Sequence, residues 1–333
     1  MAYIHLHKNH FFYNLDIIAK QTKDRAKIAL VLKDNAYGHG LLEMAALAQE
    51  ALITKAVVQT DEEAQKILPF FEYILVLADT PNAMQTPSRK IRYTINDKNA
   101  VAKFPKETLV ELKVNTGMNR NGIEMDELQE TLLAIQTQGL KLEAIFTHHG
   151  CADELGEMYE IQKANFERVK AAAPKGLRFH SCNSAALFRE DDFCEDMARV
   201  GIAAYGCMEL PQEINAVALK PVLSLHANKI ASRLLKRGEF VGYGASFVAG
   251  EDMMVSTYDF GYGDGFLRSC SGKVQTPEGV PQIGRISMDN ATFVSDEESL
   301  CIFSDARDFS NAAGTISYEI LTSLKPSLKR FVV

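Results

Sequence analysis

Short apolar, β-branched runs alternate with helix-like segments through the first two thirds of the 333-residue chain. In segments such as LLEMAALAQEALI and DELQETLLAIQTQ, apolar residues recur at steps of three and four, which is the spacing of one helix face. Strands that alternate with helices in this way predict a parallel sheet. The predicted strands are residues 27–32, 55–58, 73–77, 91–95, 110–114, 142–147, 177–181 and 197–200.

Eight such strands favour an α/β fold with a closed (β/α)8 barrel of the TIM type, and an open doubly wound sheet is the alternative. The pattern changes after about Leu210, where helical periodicity fades and β-rich pieces such as MMVSTYDFGYGDG and GVPQIGRISMDNATFVS appear. We therefore predict two domains, a barrel over residues 1–215 and a smaller, mainly β domain over residues 216–333.

Composition and charge narrow the class of protein. Hydrophobic residues make up 47% of the chain and charged residues 24%, as in an ordinary globular enzyme. The net charge of −7 argues against nucleic acid or an anionic membrane as a partner. The chain shows neither a secretory signal nor the ~18 consecutive apolar residues of a transmembrane helix. Its six cysteines form no Cys-x-x-Cys pair and no disulfide framework, so we expect a cytoplasmic protein with reduced thiols and no metal.

Polar residues gather at the carboxyl ends of the predicted strands, where barrel enzymes build their active sites. Lys33 follows the first strand, the fifth strand contains Lys113 and runs on to Arg120, the sixth ends at His148, and Arg199 lies in the eighth. A lysine in such a position becomes a nucleophile towards an aldehyde when it is partly desolvated or lies near other cations. Taken alone, Lys33 is at least as consistent with a surface lysine beside a glycine-rich turn.

The end of the seventh strand adds a candidate anion site. Residues 180–184 read HSCNS and place Asn183 and Ser184 at the start of a predicted helix. Exposed backbone amides near Ser184 and Gly201 would suit a phosphate, although Ser184 is equally consistent with a simple helix N-cap. A lysine, a phosphate site and an arginine in one barrel mouth together indicate pyridoxal 5'-phosphate as the cofactor.

A series of motifs makes this interpretation more specific. The sequence resembles the alanine racemase family over most of its length, because its motifs occur in the same order as in that family. The family also has the same plan of a barrel followed by a β domain. The motifs that carry the resemblance are KDNAYGHG, KVNTGMNRNG, THHGCADE, HSCNSAA, ARVGIAAYG, GYGASF, GYGDG, GRISMDN and ISYE.

The resemblance implies two catalytic bases, one on each face of the substrate. Lys33 would hold the cofactor and exchange the α-proton on one face, and Tyr243, supplied by the partner subunit of a homodimer, would act on the other. His148 and Arg199 would lie in the hydrogen-bond network that supports Tyr243, with His180 behind Arg199. Because a guanidinium does not give up its proton, Arg199 would leave the pyridine nitrogen of the cofactor unprotonated. The further cofactor-binding positions implied are Tyr37, Asn183, Ser184, Gly201, Ile202 and Tyr318.

The same resemblance implies the substrate contacts. Arg120 and the backbone near Met288 would bind the substrate carboxylate, and Tyr262 would narrow the entrance from the partner subunit. Lys113 matches a lysine that is often carbamylated in the family. Two residues depart from the family pattern: Asp34 stands where alanine is usual, and Asn115 where aspartate is usual.

The function implied is interconversion of L-alanine and D-alanine, which supplies D-alanine for bacterial peptidoglycan. A broad-specificity amino-acid racemase is the nearest alternative. A pyridoxal-phosphate decarboxylase shares the architecture, but it usually places a carboxylate at the pyridine nitrogen and a cysteine where Tyr243 stands. A barrel-only pyridoxal-phosphate carrier would lack the second domain.

Overall fold

The computed structural model describes residues 1–81, 88–211, 213–214 and 217–333. The boundary predicted between residues 215 and 216 lies outside the described residues, so it stays a prediction. The strands are β1 (Tyr3–Leu6), β2 (Ile28–Val31), β3 (Lys55–Val58), β4 (Tyr73–Val76), β5 (Ile91–Ile95), β6 (Leu109–Lys113), β7 (Lys141–Phe146), β8 (Arg178–His180), β9 (Ala198–Val200), β10 (Leu223–Leu235), β11 (Phe240–Val241), β12 (Phe247–Val248), β13 (Met253–Tyr258), β14 (Gln282–Ile283), β15 (Ala291–Phe293), β16 (Ser299–Phe303) and β17 (Lys329–Val332). The helices are α1 (Lys8–Thr22), α2 (Lys33–Tyr37), α3 (Leu41–Glu50), α4 (Asp61–Ile67), α5 (Leu128–Gln138), α6 (Met158–Ala172), α7 (Ser184–Arg189), α8 (Ala306–Ala313) and α9 (Ser317–Ser323).

Strands β2 to β9 form one parallel sheet in the order β8-β7-β6-β5-β4-β3-β2-β9. Its two edges meet, since the amide of Asp196 donates to the carbonyl of Phe179 at 3.1 Å and the amide of Arg199 to that of Cys182 at 2.9 Å. Strands such as β2 and β4 are apolar and buried at every position, because a barrel strand is covered on both faces. The predicted barrel is confirmed, and each predicted strand lies within two residues of an observed one.

The outer layer is less regular than the strand–helix alternation predicts. Helices α3 to α7 follow strands β2, β3, β6, β7 and β8. Between β5 and β6 the described chain forms only a short 3-10 helix, Lys98–Lys103. Helix α4 begins with a capping box in which Thr60 and Glu63 each accept a hydrogen bond from the backbone of the other.

The second part of the chain is mainly β, as predicted. Its sheet has the order β14-β15-β13-β10-β1-β17, with β16 also paired to β10, and β11 and β12 form a separate hairpin. Strand β1 was not predicted. It lies in this second sheet, antiparallel to β10 and parallel to β17, although the predicted barrel domain begins at residue 1. The start of the chain therefore ties the two parts together.

Within the described residues, no helix has the length and apolar character needed to cross a membrane. All six cysteine side chains are free.

Candidate active site

A cavity of about 650 Å³ opens at the carboxyl ends of the barrel strands. Its wall is made by residues at or just after the carboxyl ends of seven of the strands, together with Tyr318 and Thr322 from α9. The cavity thus brings together most of the residues predicted from the sequence. The predicted residues that line it are Lys33, Tyr37, Lys113, Arg120, His148, Asn183, Ser184, Arg199, Gly201, Ile202 and Tyr318.

The segment α2, which Lys33 begins, is not a right-handed helix but a strained, left-handed turn. The four residues after Lys33, Asp34 to Tyr37, all have φ between 52° and 54°, which is the left-handed region. This conformation costs L-residues roughly 1–2 kcal/mol each, so the surrounding structure has to hold it. The side chain of Glu63 accepts from the Asp34 amide at 2.9 Å, and Arg330 of β17 donates to the Gly38 carbonyl at 2.8 Å. The turn presents the Lys33 amine to the cavity, 3.5 Å from a carboxylate oxygen of Asp34.

Tyr37, Ser184 and Gly201 form a group of hydrogen-bonding residues that also lines the cavity. The hydroxyl of Ser184 accepts from the backbone amides of Gly201 at 3.1 Å and Ala203 at 3.3 Å. A Cβ on Gly201 would lie 2.5 Å from the Tyr37 hydroxyl, so only glycine lets the chain pass so close. Burial raises the pKa of Tyr37, which keeps its hydroxyl a donor. Amides and hydroxyls that converge in this way fit a phosphate group.

Arg199 lies buried in the floor of the cavity. Its guanidinium donates to the carbonyls of Thr147 at 2.6 Å, His180 at 3.0 Å and Ser181 at 3.1 Å, and to Nδ1 of the His180 ring at 2.6 Å. Burial lowers the pKa of Arg199, but a guanidinium with four acceptors remains protonated. The site therefore holds a fixed positive charge at the end of β9.

Lys113 lies among other cations. Burial, and then Arg120, Arg199 and Lys33, lower its pKa to about 7. Its amine donates to the side-chain oxygen of Asn121. With so low a pKa, a substantial fraction of the Lys113 amine is uncharged and nucleophilic near neutral pH.

Asn115 has a structural reason to replace an aspartate. Its side-chain oxygen accepts from the amides of Gly117 at 3.1 Å and Asn119 at 3.0 Å, as a carboxylate would. Its amide nitrogen also donates to Glu124 at 3.0 Å, where a carboxylate would meet a like charge. Asn115 thus orders the turn that leads to Arg120.

The two adjacent histidines after β7 have different surroundings. His148 lines the cavity, and its pKa is held well below the ordinary value by burial and then by Arg199 and Lys113. His149 is turned to the other side, where its ring meets Tyr159 edge-on. The neutral His148 is therefore the histidine available to the site.

Three predicted residues, Tyr243, Tyr262 and Met288, lie outside this cavity. They are 64%, 43% and 56% exposed on the β domain. Tyr262 and Met288 lie close together, because the amide of Tyr262 donates to the carbonyl of Ser287 at 3.0 Å and the amide of Gly263 to that of Met288 at 2.8 Å. A separate cavity of about 670 Å³ lies beside hairpin β11–β12, and none of the predicted residues lines it.

Some residues around the cavity were not predicted from the sequence. Glu111, Asn121 and Arg330 contact predicted residues or the turn that follows Lys33. Glu111 does carry a sequence signal, since it is a charged residue inside the otherwise apolar run LVEL. Arg330 carries none, because its contact with Gly38 joins the two ends of the chain. Within the described residues, no group of three or more His, Cys, Asp or Glu side chains is placed to hold a metal ion.

Comparison with known proteins decides the family. The model of the alanine racemase N-terminal domain matches residues 6–209, and that of the alanine racemase C-terminal domain matches residues 222–332. The chain belongs to the alanine racemase family. It is 42% identical over 345 residues to the alanine racemase of a Nitratiruptor species, and the match covers 99% of both chains.

Solved structures agree with this membership. The alanine racemase from Bartonella henselae, with covalently bound pyridoxal phosphate, has a TM-score of 0.84 and 25% identity to this chain, and the match covers 100% of this chain and 99% of that one. A histidine racemase from Leuconostoc mesenteroides has a TM-score of 0.86 and 25% identity, with 100% and 98% covered. The alanine racemase fold therefore extends over the whole chain.

Proposed function

We propose that this chain is a pyridoxal-phosphate-dependent racemase that interconverts L-alanine and D-alanine, and that it supplies D-alanine for bacterial peptidoglycan in the cytoplasm. Membership of the alanine racemase family supports the reaction. The observation that carries the proposal is the presence of Lys33, Arg199 and the Ser184–Gly201 donor group in one cavity.

The donor set of this cavity fits pyridoxal phosphate. Lys33 supplies the amine that would bond to the aldehyde. Tyr37, Ser184 and the Gly201 amide would hold the phosphate, with Ile202, Asn183 and Tyr318 beside them. When bound, the cofactor withdraws electrons from the α-carbon of the amino acid joined to it, which makes the α-proton easier to remove. Arg199 would donate a hydrogen bond to the ring nitrogen of the cofactor without giving up its proton, so that this nitrogen would stay unprotonated.

Two bases would move the α-proton. The amine of Lys33 would serve one face of the substrate, and the phenol of Tyr243 the other. A tyrosine has an ordinary pKa near ~10, so it needs cationic or hydrogen-bonding neighbours to act near neutrality. Arg199 and the neutral His148 would supply this environment from the barrel mouth.

Because Tyr243 lies outside the cavity of its own chain, we propose that it reaches the cavity of a second copy in a homodimer. Tyr243 lies in the turn that joins β11 to β12, and β10 and this hairpin carry further exposed apolar side chains. Exposed apolar patches mark interfaces. The large apolar side chains exposed on β10 and on hairpin β11–β12 are Ile230, Leu234, Phe240 and Val248.

Substrate selection would fall to a small number of groups. Arg120 would bind the substrate carboxylate by a charge-assisted hydrogen bond, together with the backbone at Met288. Tyr262 would restrict the entrance to small side chains. We further propose that Lys113 is carbamylated, since a neutral amine reacts with carbon dioxide and its pKa is about 7.

The reaction is tested by incubating the purified holoenzyme with L-alanine in deuterium oxide. We expect D-alanine that carries deuterium at the α-carbon, resolved by chiral chromatography and mass spectrometry. No chirality change and no exchange would contradict the proposal. Release of carbon dioxide from lysine, ornithine or diaminopimelate would instead indicate a decarboxylase.

The shared site is tested by mixing two inactive variants, Lys33→Ala and Tyr243→Phe. If each site uses both chains, a mixed dimer contains one intact site, and activity returns on mixing. If activity does not return although mixed dimers are demonstrated by mass, Tyr243 does not act across an interface.

Broader specificity is the second candidate, because a histidine racemase shares this fold with a TM-score of 0.86. Chirality assays with serine, lysine, arginine and histidine would separate the two. We expect alanine to be preferred, since Tyr262 and Met288 would leave room for a small side chain only.

A further inference from the structure

Glu111 is a carboxylate in the middle of the barrel, on β6, with none of its surface exposed. One oxygen accepts from the Tyr73 hydroxyl at 2.6 Å and from Arg178 at 3.0 Å. The other lies 2.8 Å from Nε2 of His180. Burial raises the pKa of Glu111, but its contacts with His180, Arg178 and Tyr73 lower it by more, so the carboxylate is ionised.

The hydrogen bonds around His180 allow only one arrangement of protons. Arg199 can only donate, so Nδ1 of His180, 2.6 Å from its guanidinium, has to accept. A neutral His180 then carries its proton on Nε2 and donates it to Glu111. Burial lowers the pKa of His180, which is consistent with the neutral ring.

We propose that Glu111 is a positioning residue of the cofactor site, whose carboxylate fixes the Nε2–H form of His180 and through it the position and charge of Arg199. This inference rests on the proposed function, because Arg199 is the group that would face the cofactor. Glu111 touches neither substrate nor cofactor in this scheme and acts through His180.

The surrounding charges show why a carboxylate is needed here. Arg199 lies close enough to Glu111 for the carboxylate to oppose the lowering of the Arg199 pKa, and Arg178 contacts Glu111 from β8. Beyond them, Glu143 of β7 accepts from Arg178 and from Arg92 of β5, both at 2.9 Å. Glu143 is partly exposed, whereas Glu111 is fully buried. Glu111 is thus placed to balance buried cations that would otherwise repel one another in a low dielectric.

Three variants separate charge from shape. Glu111→Gln keeps the size of the side chain and removes its charge, while Glu111→Asp keeps the charge on a shorter side chain. Glu143→Gln is the matched control, because it removes a carboxylate that shares Arg178 but does not contact His180.

The first measurement is made on the apoenzyme, by nitrogen-15 NMR of labelled histidine rings, with a His180→Asn variant for assignment. We expect His180 to be neutral with its proton on Nε2, and we expect Glu111→Gln to move the Nε2–H signal or to populate the second tautomer. Glu143→Gln should leave that signal in place. Two results would overturn the inference. One is a wild-type His180 protonated on Nδ1, and the other is a His180 signal in Glu111→Gln that is the same as in the wild type. Because no turnover is measured, this result does not depend on racemase activity.

The second measurement is the pH profile of kcat for the holoenzyme. We expect Glu111→Gln to lower kcat roughly tenfold, the effect of weakening one buried charge-assisted hydrogen bond. Losing a negative charge disfavours protonated forms nearby, so both limbs of the profile should move to lower pH. Glu111→Asp should recover part of the loss. If Glu111→Gln does not fold, the inference is still tested by the tautomer of His180 in the wild type and by the pH profile of Glu111→Asp. If all variants keep the wild-type pH profile, Glu111 has only a structural role.

Discussion

The barrel mouth and the exposed face of the β domain hold their predicted residues in opposite ways. In the mouth, Arg199 is 5% exposed and has four hydrogen-bond acceptors, and the turn after Lys33 is held by contacts from both parts of the chain. On the β domain, Tyr243 is 64% exposed and its neighbours Phe240 and Val248 are also open to solvent. One chain therefore preorganises the half of the site that we propose for the cofactor, and leaves the proposed second base, Tyr243, without a pocket.

This difference separates two kinds of effect. Changes in the mouth should act within a chain, on the cofactor and on the first base. Changes on the exposed face should act between chains, and should leave the cofactor where it is.

The largest effect is expected at Lys33. Lys33→Ala removes both the amine that would bond to the cofactor and one base, so activity should fall roughly 10⁴-fold or more. Borohydride reduction followed by peptide mass mapping should find the cofactor on Lys33 in the wild type and on no lysine in the variant. Lys66→Ala, an exposed lysine on α4, is the control. A cofactor still trapped on another lysine would contradict the assignment.

Tyr243→Phe tests the exposed face. Removing one acid–base group should lower racemisation roughly 10²–10³-fold, while the cofactor stays bound through Lys33. Exchange of the α-proton in deuterium oxide should be lost from the L-enantiomer and retained from the D-enantiomer. Tyr13→Phe, another exposed tyrosine, should behave like the wild type. Equal exchange from both enantiomers would refute the two-base assignment.

Gly201→Ala tests whether the residues around Gly201 in the barrel mouth bind the phosphate of the cofactor. The new Cβ would lie 2.5 Å from the Tyr37 hydroxyl, so the phosphate-binding group has to move. Overpacking of this kind costs about 1–3 kcal/mol, and we expect cofactor affinity to fall roughly tenfold, as measured by fluorescence titration of the apoenzyme. Gly250→Ala, where nothing lies within 4 Å of the new atom, is the control. Unchanged affinity would show that phosphate does not bind there.

The smallest effect is expected at Lys113, and it depends on pH. With a pKa of about 7, the amine is protonated at lower pH and free to react with carbon dioxide at higher pH. A carbamate signal from carbon-13 bicarbonate should therefore grow as the pH rises through 7 and should be absent from Lys113→Arg. Activity of that variant should fall only a few-fold. A wild-type protein without the signal above this pH would rule out carbamylation.

The barrel strands could be predicted because most are short, largely apolar runs, and strands such as β2 and β4 are buried at every position. The same rule finds Glu111, as the one charge within LVEL, but does not say what it contacts. Strand β1 was not predicted, because it has only four residues and its strand pairs are with β10 and β17, which are both distant along the chain. The irregular segment between β5 and β6 also departs from the simple alternation, since 3-10 turns leave little periodic signal.

The sequence by itself determined the class of fold, the residues at the strand ends and the family, because these depend on periodicity and on residue types in a fixed order. Only the tertiary structure decided which of those residues share a cavity and which remain exposed, because that depends on contacts between segments far apart in the chain. The structure also supports the proposed Nε2–H form of His180, lowers the pKa of Lys113 and explains why an asparagine suits position 115, since each depends on neighbouring polar and charged groups. The two residues proposed as bases, Lys33 and Tyr243, can thus be named from the sequence, but their separation within one chain is a property of the fold.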